Sequence, residues 1–128
     1  MDFRFSSQEE AFRQEVDDFM KRELPANWAE ESRYWPGGYG TIPEFEELNP
    51  AAERFRRKLV EKGWLTLSWP KEYGGRGASL VERMIFDQEM AAAKAPALLN
   101  VLGLEIVGPT MIVHGSEEQK KAERKSVV

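Results

Sequence analysis

Cysteine is absent from these 128 residues and histidine occurs once, at His114. The first absence excludes disulfides, thiolate metal ligands and thiol nucleophiles. The second leaves no imidazole cluster to hold a transition metal. Long apolar runs are also missing. No segment is long enough to span a bilayer, and the stretch from Met1 to Glu10 is acidic and polar where a secretory signal needs an apolar core. Nor is there an excess of positive charge: the formal net charge of -4 disfavours nonspecific attraction to nucleic acid or an anionic membrane. These absences lead us to expect a cytoplasmic protein with no metal, no nucleic-acid partner and no membrane span. What is present is 41% hydrophobic and 31% charged residues in a chain the size of one soluble domain, able to bury a core of its own.

Helical signals dominate. Ser6 with Glu9, or Ser7 with Glu10, forms a capping box, and Ala11, Phe12, Val16, Phe19 and Met20 follow at helical spacing until Pro25. A first helix is predicted from about Ser7 to Glu23. Residues 25 to 49 have no clean period and read as a long connection carrying Trp28, Tyr34, Trp35 and Tyr39. Asn49-Pro50 then starts a second helix through Ala52, Phe55, Leu59 and Val60, closed by Gly63. Trp64 to Trp69 is expected to be an extended connector and Tyr73 to Ala78 a glycine-dominated turn. Ser79 with Glu82 caps a third helix running to about Lys94, before Pro96. Leu98 to His114 is apolar almost throughout and predicts a helix buried on several sides, interrupted near Gly108-Pro109 and closed by Gly115. With no credible strand, the fold class is all-α, an orthogonal or bundle-like helical domain.

Most candidate sites have plain structural readings. The turn Gly74 to Ser79 leads into a helix N-terminus and carries Arg76, but it lacks both the Walker and the dinucleotide spacing, so a structural turn is favoured over an anion site. Trp64 and Trp69 read as core anchors ahead of ring-pocket residues. The acidic pairs Glu9/Glu10, Glu30/Glu31, Glu46/Glu47 and Glu117/Glu118 do not face one another on a helix and make poor acid–base dyads. His114 near Ser116 lacks the third orienting group that a nucleophilic pair needs, and reads as a helix C-terminal residue. Lys120, Lys121, Arg124 and Lys125 form a short basic patch that reads as solvated. The stripe Leu98, Leu99, Leu102, Gly103 and Ile106, taken alone, reads as core.

Two blocks go beyond these generic signals. Gly63-Trp64-Leu65-Thr66-Leu67-Ser68-Trp69-Pro70-Lys71-Glu72-Tyr73-Gly74-Gly75 and, further on, Gly108-Pro109-Thr110-Met111-Ile112-Val113-His114-Gly115-Ser116-Glu117-Glu118-Gln119-Lys120 resemble two successive landmarks of the acyl-CoA dehydrogenase family. The resemblance implies that family's N-terminal helical domain over residues 1–121. The divergent tail, 122–128, is expected to fray.

The family oxidises the Cα–Cβ bond of acyl thioesters, with a glutamate taking the α proton and flavin N5 the β hydride. The resemblance places that glutamate and most flavin contacts downstream of this domain, so no catalytic residue is expected in this chain. FAD is expected in the complete enzyme and not stably on this chain alone. The resemblance also makes the segment before Gly108-Pro109-Thr110 part of the acyl cavity, which turns Leu98, Leu99, Leu102, Gly103 and Ile106 into substrate-cavity candidates. The implied partners are acyl-CoA, the flavin-binding domains or a flavoprotein subunit, and further copies in a homo-oligomer. The alternative is a noncatalytic helical module that binds an acyl chain or pairs with a flavoprotein subunit.

Overall fold

The computed structural model describes residues 4–28, 50–96 and 102–127, which are helical with no strand among them. Helix α1, Ser7–Glu23, starts at the capping box that the sequence offered in two registers. The structure selects Ser6: its backbone N donates to Glu9 Oε2 at 2.7 Å and its Oγ accepts from Glu9 N at 3.2 Å. The apolar spacing puts Phe12, Val16, Phe19 and Met20 on one buried face.

Helix α2, Pro50–Lys62, buries Ala52, Phe55 and Leu59. It ends where Gly63 takes φ +70, letting the Gly63 amide bond the Val60 carbonyl and the Trp64 amide the Leu59 carbonyl, both at 2.9 Å. This is the paired closure that a left-handed residue permits at a helix end. Helix α3, Leu80–Ala92, begins at the Ser79/Glu82 box and stops before Lys94, whose φ of 50 cannot continue a helix.

The main core forms where α1 packs on α3 and α2 closes over them. Trp64 lies at its centre, 1% exposed, with edge-to-face contacts to Phe12, Phe19 and Phe86 at centroid distances of 5.9, 5.0 and 5.9 Å. Each such buried side chain stabilises the fold by roughly 1.5–3 kcal/mol. At the rim, Arg13 Nε meets Glu89 Oε1 at 3.1 Å between α1 and α3, and Trp28 Nε1 donates to the Lys94 carbonyl at 2.8 Å.

Several expectations change. Residues 64–69 are not an extended connector but a series of turns, with the Trp69 amide bonding the Thr66 carbonyl at 2.9 Å. The reason is burial: Trp64, Leu65, Thr66, Leu67 and Trp69 all lie inside, so their backbone groups need partners. The glycine turn supplies them, since the Ala78 amide donates to the Leu67 carbonyl and the Gly77 amide to the Trp69 carbonyl, while Thr66 Oγ1 donates to the Gly74 carbonyl. The two loops, joined by a 3₁₀ turn at Lys71–Tyr73, close on each other.

The apolar stretch is not broken at Gly108-Pro109 either. A π-helix, Leu102–Val107, runs directly into helix α4, Gly108–His114, where proline in the first turn is tolerated. Nor is it buried on all sides, since Ile106 is 56% and Val113 70% exposed. Helix α5 spans Glu117–Val127. The Ser116/Gln119 box caps it, and Lys120 lies 5.7 Å from the Tyr73 ring centroid, tying the helix to the 3₁₀ turn. The connection 29–49 lies outside the described residues.

Candidate functional site

A second apolar cluster joins the turn region to the π segment. Leu65, Trp69 and Leu104 are buried together, with Val60, Tyr73 and Ile112 packed around them. Trp69 is the hinge pin. Its Nε1 donates to the Leu104 carbonyl at 3.2 Å, and its ring crosses Gly108 so closely that a Cβ there would lie 2.0 Å from Cζ2 and 2.3 Å from Cη2. Only glycine permits this approach. The Gly103 carbonyl closes the other side, 2.9 Å from the same point.

Arg83 ties the π segment to α3. Its Nε meets both oxygens of Asp87 at 3.0 Å and its Nη2 donates to Glu105 Oε1 at 2.7 Å. Burial works against the guanidinium charge, but the hydrogen bonds to Glu105 and Asp87 outweigh it and hold the arginine pKa above its ordinary value. The bridge sets α3 beside the π segment, and both elements present apolar side chains to the outside: Leu80, Val81 and Met84 from α3, Ile106 and Val107 from the π segment, and Val113 from α4 beyond. Leu80 is 85% exposed. The π segment is thus braced by side-chain bonds to Trp69 and Arg83, and the exposed apolar residues on these elements suit contact with a hydrocarbon or another protein surface.

The sequence-predicted residues divide on this wall. Leu98 and Leu99 lie outside the described residues. Leu102 opens the π-helical backbone, Gly103 is buried against Gly108, and Ile106 faces outward. Sequence reasoning gave no role to Leu104, Arg83 or Glu105, and it read Gly108 only as an interruption and part of a family landmark. Glycine immediately before proline was a readable signal for the close approach at Gly108, whereas the Arg83–Glu105 bridge spans 22 positions and has no local signature.

Elsewhere the plain readings prevail. In the glycine turn, Gly74 and Gly77 have φ of +88 and +62, and a Cβ on Gly75 would lie 2.1 Å from the Trp69 carbonyl oxygen, so the glycines serve the backbone. Arg76 stacks 5.9 Å from the Trp64 ring centroid and Ser79 is engaged as a cap. Glu82 belongs to that cap, Glu105 to the Arg83 bridge, and Glu72 lines a small surface pocket with Tyr73, Glu117, Lys120 and Lys121. Among the described residues, no group of three or more His, Asp or Glu side chains is placed to hold a metal, and no helix is long and apolar enough to cross a membrane.

Comparison with known proteins gives this architecture a context. The sequence pattern that defines the family described as "Acyl-CoA dehydrogenase, N-terminal domain" matches residues 6–123. The chain is 38% identical over 111 residues to acyl-CoA dehydrogenase IpdE1 of Mycolicibacterium smegmatis, covering 86% of this chain and 27% of that protein. It is 32% identical over 121 residues to acyl-CoA dehydrogenase FadE26 of Mycobacterium tuberculosis, covering 94% and 28%. Among solved structures, it is similar to the Tcur3481-Tcur3483 steroid ACAD, with a TM-score of 0.73 and 32% identity over 99% of this chain and 30% of that one. It is also similar to the ChsE4-ChsE5 complex from Mycobacterium tuberculosis, with a TM-score of 0.70 and 29% identity over 99% and 30%. The chain thus spans under a third of the length of each.

Proposed function

The chain belongs to the acyl-CoA dehydrogenase family, and from that membership we propose that it serves as the N-terminal helical domain of a flavin-dependent enzyme that desaturates acyl-CoA thioesters between Cα and Cβ. Its part is architectural. The π segment with Leu98, Leu99, Leu102, Gly103 and Ile106 forms one wall of the acyl cavity, and the outward apolar residues of α3 and α4 pack against the domains that hold the flavin. The observation that carries this reading is the braced wall itself: Trp69 and Arg83 hold in place a segment whose outward side chains are apolar and uncovered. Leaving such residues in water gives up stabilisation that a covering surface would supply.

The described residues do not fit FAD. The N-termini of α1, α3 and α5 are engaged by their own capping boxes, which leaves little for a pyrophosphate to bond. The groove of about 400 Å³ between α1 and α3 is lined by Asp17, Lys21 and Glu89, and Lys21 is already paired with Asp17 at 2.6 Å, which leaves little there to hold a pyrophosphate. In this reading the cofactor and the catalytic glutamate belong to the complete enzyme, and the active unit is an oligomer. Two related solved structures carry paired subunit names, which favours a second acyl-CoA dehydrogenase subunit as partner, and one is described as a steroid enzyme, which favours a bulky polycyclic acyl thioester as substrate. The same pairing supports the second reading, a noncatalytic helical subunit that completes a flavoprotein.

A domain exchange tests the assignment. Residues 6–123 replace the matching domain of the IpdE1 relative, and the chimera is assayed for FAD content and for dye reduction with a steroid acyl-CoA. Turnover above that of the relative stripped of its own N-terminal domain is expected. A chimera that folds and retains FAD but gains no turnover would remove the acyl-cavity role.

A further inference from the structure

The π-helix Leu102–Val107 sits immediately before a proline. In a π-helix the carbonyl of residue i pairs with the amide of residue i+5, in an α-helix with that of i+4. Position 109 is proline and has no amide hydrogen. It denies a partner to the Leu104 carbonyl in the π register, and to the Glu105 carbonyl in the α register. In the α register its ring also collides with the Glu105 carbonyl. A widened turn relieves that collision, so Pro109 gives the π segment a physical cause. The relief leaves the Leu104 carbonyl without its in-register donor. Leu104 is only 3% exposed, and an unmet acceptor at such a site costs far more than one in water.

Trp69 meets this need from 35 positions away, donating Nε1 to that carbonyl at 3.2 Å. Its ring, pressed on Gly108, fixes the segment laterally at the same point. We propose that Trp69 is a positioning residue whose indole N–H stands in for the amide Pro109 lacks, holding Leu102–Val107 in the π register and so setting which side chains form the acyl-facing wall. The functional half of this rests on the acyl-cavity reading above. A slip of one residue in register turns the side chains beyond it by about 100°, enough to carry Ile106 or Val107 off the outward face. Trp69 and Pro109 thereby act on acyl-chain specificity without touching the reacting atoms.

Amide hydrogen exchange on this chain, resolved by residue, tests the coupling. Trp69→Phe keeps a ring and removes the donor; exchange at 106–108 should accelerate by about tenfold more than at Val16 and Phe19 in α1. Adding Pro109→Ala restores a backbone amide and should return those rates to within about threefold of the parent chain. Equal acceleration in α1 and the π segment, or no recovery in the double variant, would overturn the proposal, because a ring that only fills space gives additive effects. If Trp69→Phe does not fold, Pro109→Ala alone decides. Exchange of the Trp69 indole N–H should then rise by about tenfold as a backbone amide, that of 109 in the π register or of Gly108 in the α register, takes over the Leu104 carbonyl, and an unchanged rate would overturn the proposal. None of these readouts involves acyl-CoA, so failure here leaves the domain-exchange result standing, and the reverse holds equally.

Discussion

At the scale of single residues, the two buried tryptophans of the Gly63–Gly75 block do different work. Trp64 is a core ring surrounded by three aromatic partners, and its indole N–H finds no acceptor among the described residues. It is retained for its shape, at a desolvation cost of about 1–3 kcal/mol. Trp69 uses both its faces and its N–H, and Gly108 is the residue that admits it. Gly108→Ala should destabilise the chain by about 1–3 kcal/mol, as overpacking does, and Trp69→Ala by about 3–5 kcal/mol. The double variant should cost clearly less than the sum, since removing the ring removes what the new methyl group meets. Urea denaturation of the four proteins measures this; strict additivity would mean that ring and glycine are not in the contact described.

At the scale of elements, capping chemistry and ion pairs set helix ends. Glu53, in the first turn of α2, accepts from Arg56 Nε at 3.1 Å and Arg57 Nε at 2.9 Å. These hydrogen bonds, Arg56 first, hold its carboxyl below the ordinary value of 4.5. A carboxyl lowered in the folded state contributes stability that is full above its unfolded pKa and lost as pH falls through the folded one. The thermal midpoint should therefore fall less between about pH 6 and pH 3 in Glu53→Gln than in the parent chain. An identical fall in both proteins would show that this carboxylate is not linked to folding.

The ends of α1, α2 and α3 were legible in the sequence because their causes are local: Ser6 with Glu9, Gly63, and Ser79 with Glu82 each lie within a few residues of what they terminate. The apolar run before Pro109 was legible as helical, but not its π register or its exposed side. What stayed hidden depends on groups far apart in sequence. The turns at 64–69 exist because amides at 77 and 78 bond back to them, the π register involves a ring 35 positions upstream, and the Arg83–Glu105 bridge crosses from α3. For α5 the anchoring of Lys120 over Tyr73 has no local signature in the sequence.

At the scale of the whole molecule, the apolar residues Leu80, Val81, Met84, Ile106, Val107 and Val113 remain exposed on a chain of net charge -4. That charge is too small to oppose apolar association strongly at physiological salt. The purified chain should associate as concentration rises, and Leu80→Ser with Ile106→Ser should shift the onset to higher concentration. Light scattering across a dilution series is the measurement. A parent chain that stays monodisperse and monomeric at high concentration would remove the assignment of this face as a covered surface.

The pairing of α1 with α3 has a consequence for synthesis on the ribosome. The polar contacts that tie the N-terminal segment to α3 and the turn after it, Arg13 with Glu89 and Trp28 with Lys94, join positions 76 and 66 residues apart. Helix α1 therefore emerges with Phe12, Val16, Phe19 and Met20 unmatched; Phe55 and Trp64 reach that face first, and it is fully covered only when α3 has been added as far as Ala92. At about 5–20 residues per second this leaves its apolar face incompletely covered for about 3 to 14 seconds. Although every described element is a helix, the contacts that cover α1 are distant in sequence, and folding should be slow for an all-helical domain of this size. During that interval the nascent chain is a client for chaperones, and the vulnerable surface is the one that ends most deeply buried.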